Sequence, residues 1–289
     1  MNGYRTPFIV AEIGGNHLGD SYRAAALVDA AWQCGAEAVK FQCFEPEQMA
    51  GANKVIETGP WAGRNMVDLY GETYTPKHWF GPLLAQARAL GVVPFASVFH
   101  PDDVDFLEAL DCPIYKIASF ELTDLDLIRH TSATGKPMII STGMATLDEI
   151  RRAWHAASNH CVDMTWLKCT SAYPATAQDA NLRTMVDMGR ELDCDFGLSD
   201  HSLGIGVAAA AAALGASVIE KHITIRRSDG GPDAAFSLEP DEFRQMVDAC
   251  REAAMAVGEV RYGPSAAEAA SVPLRRPPGG KRGDLYGPQ

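Results

Sequence analysis

The stretch GLSDHSLGIGVAAAAAALGASVIEKHIT (197–224) predicts a β-strand, a helix and a second β-strand in succession. Each strand-like apolar run ends at a histidine, His201 or His222, and the small side chains from 207 onward are typical of a buried helix leading into a strand. Strands joined through a helix are parallel, so their carboxyl ends lie at one edge of the sheet. The two histidines are therefore expected to lie close together, where they can hold one divalent metal ion.

The same alternation of short apolar runs and longer amphipathic runs continues along the whole chain. Eight runs are strand candidates: 8–14, 38–44, 92–99, 113–119, 137–143, 164–171, 195–201 and 217–223. Strands alternating with helices favour an α/β fold with a parallel sheet, and eight strands close a (β/α)8 TIM barrel. An open doubly wound sheet is the alternative, but no G-x-G-x-x-G motif follows the first strand.

Helix-like stretches and two irregular segments complete the predicted organisation. Helices are expected at 21–35, 101–110, 146–158 and 181–192, and TLDE (146–149) has the pattern of a capping box. Residues 45–80 interrupt the alternation and resemble a long loop over a site. The C-terminal end is rich in proline, glycine and basic residues. We expect a catalytic barrel at 1–262, with the long loop at 45–80, and a flexible tail at 263–289.

Charge and cysteine content restrict the class of protein. The formal net charge is −12, which argues against general attraction to nucleic acid or to anionic membranes. The seven cysteines are scattered without C-x-x-C spacing, a pattern that predicts reduced thiols in a cytoplasmic protein. They are interpreted as core thiols, because the sequence pairs no histidine clearly with any of them. An anionic substrate would then need local cations.

Polar residues occur near the carboxyl ends of strands that should be apolar on both faces. They are Glu12, Lys40, Gln42, Lys116, Ser119, Ser141, Thr142, Lys168, Thr170, Ser199, His201, Glu220 and His222. Several lie two positions apart, which places them on the same face of their strand. Burying so many charges without partners would be costly, and a shared site at the mouth of the barrel explains them. Glu220 and Lys221 are adjacent, so only one of the two can line the barrel interior.

The residue types indicate chemistry on a small anion. Strand lysines at 40, 116 and 168 suit phosphate or carboxylate, and the serines add neutral hydrogen bonds. A metal ion beside the anion could polarise a carbonyl group as a Lewis acid. The residues alone thus predict a metal-assisted barrel enzyme. A class I aldolase, in which Lys116 or Lys168 forms a Schiff base, is the alternative, and a lone strand lysine can also be a surface residue.

Ordered motifs from about Phe8 to about Val260 resemble the sialic acid synthase family, whose members condense phosphoenolpyruvate with an amino-sugar aldehyde. They include AEIGGNHLGD (11–20), PIYKIASFELTD (113–124), LKCTSAYPA (167–175), GLSDHSLGIG (197–206) and SVIEKHIT (217–224). WAGRNMVDLYGETYTP (61–76) and GGPDAAFSLEPDEF (230–243) are most similar to the pseudaminic acid synthase branch. The acceptor that this branch implies is a 2,4-diacetamido-2,4,6-trideoxy hexose. N-acetylneuraminate synthase and legionaminate synthase are the alternatives within the family.

The resemblance also implies roles for individual residues. Phosphoenolpyruvate would be held by Lys40, Lys116, Ser119, Ser141 and Ser199. His201 and His222 would bind Mn²⁺ or Mg²⁺. The sugar would face Glu12, Gln42, Glu121, Tyr173 and Asp233. Glu12, Glu121 and Lys116 are the catalytic candidates, and either glutamate could handle a proton.

The C-terminal end departs from the family pattern. Relatives usually continue into a small antifreeze-like domain that reaches the partner subunit's active site in a homodimer and supplies an arginine to the sugar. This chain instead has LRRPPGG (274–280), where Arg275 or Arg276 could substitute. A homodimer is therefore expected by resemblance. The competing reading is a non-catalytic barrel that binds a sugar or an anion.

Overall fold

The computed structural model describes residues 6–49, 54–58, 61–158, 160–161 and 163–275. Eight parallel strands form a closed barrel in chain order. The strands are β1 (Phe8–Glu12), β2 (Ala38–Cys43), β3 (Val93–Val98), β4 (Tyr115–Ile117), β5 (Met138–Ser141), β6 (Met164–Cys169), β7 (Asp195–Asp200) and β8 (Val218–His222). The predicted TIM barrel is confirmed, and each predicted strand is present with its ends shifted by a few residues at most.

Helices surround the barrel. They are α1 (Ser21–Gln33), α2 (Pro46–Met49), α3 (Met66–Thr73), α4 (Lys77–Ala89), α5 (Pro101–Glu108), α6 (Leu125–Ser132), α7 (Leu147–Ala157), α8 (Leu182–Leu192), α9 (Gly206–Ala213) and α10 (Pro240–Val257). Short 3-10 helices include Gly14–His17 after β1 and Ser119–Glu121 after β4. Among the described residues, no helix combines the length and apolar character needed to cross a membrane.

Local sequence signals explain where several helices begin. The predicted capping box is present at α7, where Thr146 N donates to Glu149 Oε2 (2.8 Å) and Glu149 N donates to Thr146 Oγ1 (3.3 Å). The Asp20 carboxylate accepts from Tyr22 N and starts α1. Such caps satisfy amide groups that have no partner inside the helix. The alanine-rich run forms α9 and leads into β8, as predicted from its small side chains.

The segment 45–80 is not the uninterrupted loop that was predicted. It contains α2, α3 and the beginning of α4. Asn65 caps α3 by accepting from Val67 N (2.9 Å), and Leu69 and Thr73 bury one side of that helix. The glycine, threonine and aromatic residues of 66–73 have weak helix propensity, so burial and the cap decide the helix.

Contacts divide the chain into two units, Met1–Val257 and Gly258–Gln289, close to the predicted boundary at 262. The described part of the second unit contains a 3-10 helix at Ala269–Leu274. Arg275 is exposed. The prediction of a flexible tail falls largely on residues 276–289, including Arg276, which lie outside the described residues.

Strand register brings the polar strand positions to one level of the barrel. Glu12 pairs with Lys40 on one side and with His222 on the other. Ser97 pairs with both Gln42 and Lys116, and Ser199 pairs with Glu220. Residues paired across parallel strands point to the same face. The register therefore directs these side chains together into the barrel interior near its carboxyl end.

Candidate active site

A cavity of about 850 Å³ opens at the carboxyl end of the barrel. Its lining includes every residue predicted for the site: Glu12, Lys40, Gln42, Lys116, Ser119, Glu121, Ser141, Tyr173, Ser199, His201, His222 and Asp233. These side chains come from β1, β2, β4, β5, β7 and β8 and from the loops that follow strands. In this fold the carboxyl end carries the active site, so the cavity is the candidate active site.

Lys40 lies at the centre of a buried charge cluster. Its ammonium nitrogen is 2.8 Å from Glu12 Oε2 and 3.4 Å from Glu220 Oε1, and it donates to Ser97 Oγ (3.0 Å). Burial lowers the pKa of Lys40, but the two carboxylates outweigh burial and leave the pKa raised. Burial raises the pKa of Glu12 despite the ion pair. The cluster keeps a cation fixed deep in the cavity.

Glu220 is the interior member of the adjacent pair that the sequence left open. Its Oε1 accepts from Ser199 Oγ (3.1 Å), and its buried Oε2 has no hydrogen-bond partner among the described residues. Burial raises the pKa of Glu220, but Lys40 and Lys116 outweigh it and lower the pKa. Lys221 points the other way and pairs with Asp200 at 2.8 Å. Glu220 was among the predicted polar strand-end residues but had no assigned role, and Ser97 was not predicted.

Lys116 is a second buried cation in the cavity. Its Nζ donates to Ser141 Oγ and to the Ile117 carbonyl, each at 2.7 Å. Burial lowers the pKa of Lys116 to about 8. No carboxylate lies within ion-pair distance of its ammonium among the described residues. Lys116 can therefore receive an anion at a smaller electrostatic cost than Lys40, which already holds two carboxylates.

The serines lie around a glycine that brings two loops together. Gly143 N donates to Ser119 Oγ at 3.0 Å. A Cβ atom at position 143 would lie 2.2 Å from Ser171 Oγ and 2.8 Å from Ser119 Oγ, so a side chain here would displace both hydroxyls. Ser171 also lines the cavity, and its buried hydroxyl has no partner among the described residues. Ser171 was not predicted as a site residue.

Glu121 differs from Glu12 in what its oxygens contact. Both Glu12 oxygens are engaged, one by Gln42 Nε2 at 2.8 Å and the other by Lys40. Glu121 Oε2 is buried without a hydrogen-bond partner among the described residues. Burial raises the pKa of Glu121 to about 7, with Lys116 opposing the shift. A carboxyl group that titrates near neutrality is suited to general acid or base work.

The two predicted metal ligands lie side by side. The ring centroids of His201 and His222 are 5.4 Å apart. The buried His222 Nδ1 has no hydrogen-bond partner among the described residues and lies 3.9 Å from Asp233 Oδ2. Burial lowers the pKa of His222 well below its usual value, which keeps the ring neutral and its lone pair available.

The donor set can be compared with known metal preferences. Two imidazoles and a carboxylate suit a divalent ion such as Mn²⁺ or Mg²⁺ when substrate and water supply further ligands. The described residues do not, however, contain three or more histidine, cysteine, aspartate or glutamate side chains already gathered as a metal site. A Cβ atom at Gly14 would lie 2.4 Å from Asp233 Oδ2 and 3.2 Å from His222 Nδ1. The glycine keeps space beside these two donors.

Aromatic rings form one side of the cavity. The Tyr173 ring lies 4.5 Å from that of His201 and 5.2 Å from that of Phe236, and Trp61 stacks on Tyr173 at 5.2 Å. The Trp61 indole also donates to the Pro232 carbonyl at 3.2 Å. Trp61 and Phe236 were not predicted, because their segments carry no strand period that assigns a side chain to a face.

Cys169 contradicts the expectation that the cysteines are core thiols with no histidine beside them. It lines the cavity, and its sulfur lies 3.8 Å from His201 Nδ1. Burial raises the pKa of the thiol, but the contact with His201 outweighs burial and lowers the pKa to about 7. Cys169 pairs in register with Ser199, which explains why it faces inward.

Lys168 does not belong to the cavity lining. It pairs in register with Leu198, on the opposite face from Cys169 and Ser199. Its Nζ donates to the Cys169 carbonyl (2.7 Å) and to Thr170 Oγ1 (3.2 Å). The aldolase alternative through Lys168 is therefore wrong, because the strand alternation directs this amine away from the cavity.

The chain is similar to enzymes of nonulosonic acid synthesis. The NeuB family model matches residues 27–262. The pseudaminic acid synthase of Helicobacter pylori is 41% identical over 258 residues, covering 88% of this chain and 76% of that protein. The N,N'-diacetyllegionaminic acid synthase of Legionella pneumophila is 36% identical, covering 93% and 78%.

A solved structure agrees with these matches in sequence and in fold. The N-acetylneuraminic acid synthetase of Leptospira borgpetersenii, crystallised with citrate, is 31% identical to this chain with a TM-score of 0.85. The match covers 94% of this chain and 92% of that chain. By sequence and by fold, this chain belongs to the NeuB family.

Proposed function

We propose that this protein condenses phosphoenolpyruvate with an amino-sugar aldehyde and releases phosphate. The proposed acceptor is a 2,4-diacetamido-2,4,6-trideoxy hexose, and the product is pseudaminic acid. The observation that carries the proposal is the pair of buried lysines, Lys40 and Lys116, in one cavity with two neighbouring imidazoles. The similarity to the Helicobacter pylori pseudaminic acid synthase supports the choice of acceptor.

Phosphoenolpyruvate would bind at the lysines and hydroxyls of the strand ends. Lys116 and Lys40 supply the charge that its phosphate and carboxylate need. The hydroxyls of Ser119, Ser141 and Ser199 supply shorter-range hydrogen bonds that orient the anion. Because these groups, apart from the half-buried Ser119, are buried and all are held by neighbours, they need little rearrangement when charge develops, which favours the transition state.

The reaction forms one C–C bond and breaks one C–O bond. C3 of phosphoenolpyruvate attacks the aldehyde carbon, and the electron pair of the carbonyl bond moves to oxygen, which takes up a proton. Water then adds at C2, and phosphate leaves with cleavage of the C2–O bond to give the 2-keto acid. The balance is phosphoenolpyruvate plus aldehyde plus water, giving the nonulosonate and phosphate.

His201 and His222 would hold Mn²⁺ or Mg²⁺ beside the acceptor, with Asp233 close to His222. A divalent cation held there would supply Lewis-acid polarisation of the aldehyde oxygen. The protein's own contribution is to keep the rings fixed. His201 Nδ1 lies 3.1 Å from the Thr170 carbonyl, and a hydrogen bond there leaves Nε2 as the free nitrogen.

Glu121 is favoured over Glu12 as the residue that gives a proton to the aldehyde oxygen. The Glu12 carboxylate is engaged by Gln42 and Lys40, whereas Glu121 Oε2 is unpartnered among the described residues and its pKa is about 7. Glu12, Gln42, Tyr173 and Asp233 would instead position the sugar. This assignment divides the two glutamates between proton transfer and orientation.

The test is a panel of acceptors incubated with phosphoenolpyruvate and Mn²⁺ or Mg²⁺. Phosphate release should require all three components, and mass spectrometry should detect pseudaminic acid. N-acetylmannosamine as the preferred acceptor would instead favour an N-acetylneuraminate synthase, and a 2,4-diacetamido hexose of other stereochemistry would favour a legionaminate synthase, as the Legionella relative suggests. Ligand binding by calorimetry without product from any acceptor would favour a non-catalytic barrel.

We also propose that the enzyme is a cytoplasmic homodimer. The free cysteines support a reducing compartment, because the described residues contain them only as thiols. Sedimentation equilibrium would measure the oligomeric state, and a monomer at micromolar concentration would contradict the dimer.

A further inference from the structure

One part of the cavity wall carries no charge. Within 49–73, the described residues that line the cavity are Met49, Ile56, Thr58, Trp61, Met66, Leu69, Tyr70 and Thr73, here called the 49–73 wall. The same segment is rich in charge, but the charged side chains of Lys54, Glu57, Arg64, Asp68 and Glu72 do not line this cavity. These described residues therefore give the cavity an uncharged, mostly apolar surface in addition to its ionic interior.

Backbone hydrogen bonds hold this wall in an ordered arrangement. Ile56 N donates to the Arg64 carbonyl and Met66 N donates to the Lys54 carbonyl, both at 2.9 Å, and Val55 bridges Asn65 in antiparallel fashion. In such a pairing neighbouring residues face opposite sides. Ile56 accordingly lines the cavity, whereas Val55 is 58% exposed and does not.

Trp61 connects the 49–73 wall to the part of the cavity that contains His201 and Asp233. Its indole nitrogen donates to the carbonyl of Pro232, and Pro232 immediately precedes Asp233. The Trp61 ring also packs on Tyr173, whose ring contacts that of His201. The cavity continues from the two histidines past Tyr173 and Trp61 to the rest of the 49–73 wall, so the part of a substrate remote from its reacting carbon can lie along that wall.

The chemistry of the wall discriminates between sugar substituents. A hydroxyl pressed against Ile56, Met66 and Leu69 would leave water without gaining a hydrogen-bond partner from these side chains. A methyl group at the same place would only remove apolar surface from water, which is favourable. A difference of one methyl-sized contact changes the ratio of kcat/KM between two acceptors by about 10- to 200-fold.

We propose that Ile56, Met66 and Leu69 of the 49–73 wall select an acceptor with a methyl group, rather than a hydroxymethyl group, at the end remote from the aldehyde. The inference rests on the proposed condensation and adds the residues that choose among acceptors. The buried strand-end residues then bind phosphoenolpyruvate and the aldehyde group, and the 49–73 wall selects among amino-sugar acceptors.

The experiment compares two acceptors that differ in one atom: the 2,4-diacetamido-2,4,6-trideoxy hexose and its 6-hydroxy counterpart. Ile56→Ser and Met66→Gln are made in the full chain, with Val55→Ser as the matched control from the exposed side of the same pairing. Ile56→Val tests rescue by an apolar side chain. The readouts are kcat/KM for each acceptor, KM for phosphoenolpyruvate and the melting temperature.

We expect the wild type to prefer the deoxy acceptor, and Ile56→Ser and Met66→Gln each to reduce that preference about tenfold or more, the size expected for a methyl-sized contact. KM for phosphoenolpyruvate should stay unchanged, and Val55→Ser and Ile56→Val should keep the preference. An equal loss on both acceptors, or the same loss in Val55→Ser, would overturn the inference while leaving the condensation intact. A wild type that consumes phosphoenolpyruvate with neither acceptor would overturn the proposed function and the inference with it.

Discussion

The ammonium nitrogen of Lys40 lies 2.8 Å from Glu12 Oε2, with 5% and 1% of the two side chains exposed. Glu220 approaches the same ammonium at 3.4 Å. A single cation thus contacts two buried acidic side chains before any substrate arrives. Because Lys116 has no such pairing among the described residues, the two lysines of the site are not equivalent. Lys40 is held by ion pairs within the cavity, whereas the ammonium group of Lys116 is available to pair with a bound anion.

Replacing Lys40 with methionine should affect stability and binding together. The change leaves Glu12 and Glu220 without their cation, and breaking a buried ion pair costs about 3–5 kcal/mol. We expect the free energy of unfolding in urea to fall by that order and KM for phosphoenolpyruvate to rise. Lys168→Met removes a lysine from the opposite strand face and should leave KM unchanged. An increase in KM for that control would contradict the placement of Lys168.

The metal ion that activity requires should bind at His201 and His222. Chelation of the purified protein should abolish phosphate release, and Mn²⁺ or Mg²⁺ should restore it. His201→Ala and His222→Ala should each lower Mn²⁺ affinity, measured by electron paramagnetic resonance of free Mn²⁺, and activity by at least about a hundredfold, since even outer-shell changes cost 10- to 100-fold. His155→Ala, an exposed position on α7, serves as the control. Full activity of a variant that carries both His201→Ala and His222→Ala would contradict the metal site.

The pH profile should fall on its alkaline side for two separable reasons. Burial raises the pKa of Glu121 to about 7, so the carboxyl proton that it donates is present below that pH and is lost above it. Burial lowers the pKa of Lys116 to about 8, so the charge that receives the anion is lost as pH rises through that value. We expect kcat to fall above about pH 7 and kcat/KM for phosphoenolpyruvate to fall again near pH 8.

Glu121→Gln separates these two effects. The amide cannot transfer the proton, so the fall near pH 7 should disappear and the plateau should drop by about 10²- to 10⁴-fold. The fall near pH 8 from Lys116 should remain. Activity that rises through pH 7 in the wild type would mean that Glu121 acts as a base.

Substitutions of Lys221 and Glu220, which are adjacent on β8, should affect different properties: stability for Lys221 and substrate binding for Glu220. Lys221 is fully buried and pairs with Asp200 on the outer face of the strand, so Lys221→Met should destabilise the protein by about 3–5 kcal/mol without changing KM for phosphoenolpyruvate. Glu220→Gln keeps the shape of the side chain but removes its charge beside Lys40 and Ser199. Glu220→Gln should change KM for phosphoenolpyruvate, and its loss of stability should be smaller than that of Lys221→Met. The same phenotype for both would contradict their separation to two faces.

The barrel and most of the site could be predicted because both follow strand periodicity. Histidines, lysines and serines at strand ends are visible in the sequence, and the carboxyl ends of parallel strands meet by necessity. The family resemblance added Glu121, Tyr173 and Asp233, which lie beyond the strand ends, where no strand period assigns a face. All of these residues line one cavity.

What escaped prediction depended on register or on distant packing. The order of residues cannot say whether Glu220 or Lys221 faces inward, whereas the pairing of Ser199 with Glu220 decides it. The same rule places Lys168 outside and Cys169 inside. Trp61 reaches the cavity through a hydrogen bond to Pro232, 171 positions away, which no local pattern encodes.

The uncharged wall has a consequence for protein engineering. Its residues all fall within one stretch of the chain, 49–73, which follows β2 and precedes α4. An exchange of this segment between related synthases would leave the barrel's strands, register and buried ions unchanged, but it would have to keep the contacts of Trp61 with Tyr173 and Pro232. If the wall selects the acceptor as proposed, acceptor preference should move with this one stretch, which would offer a route to enzymes for unnatural nonulosonates.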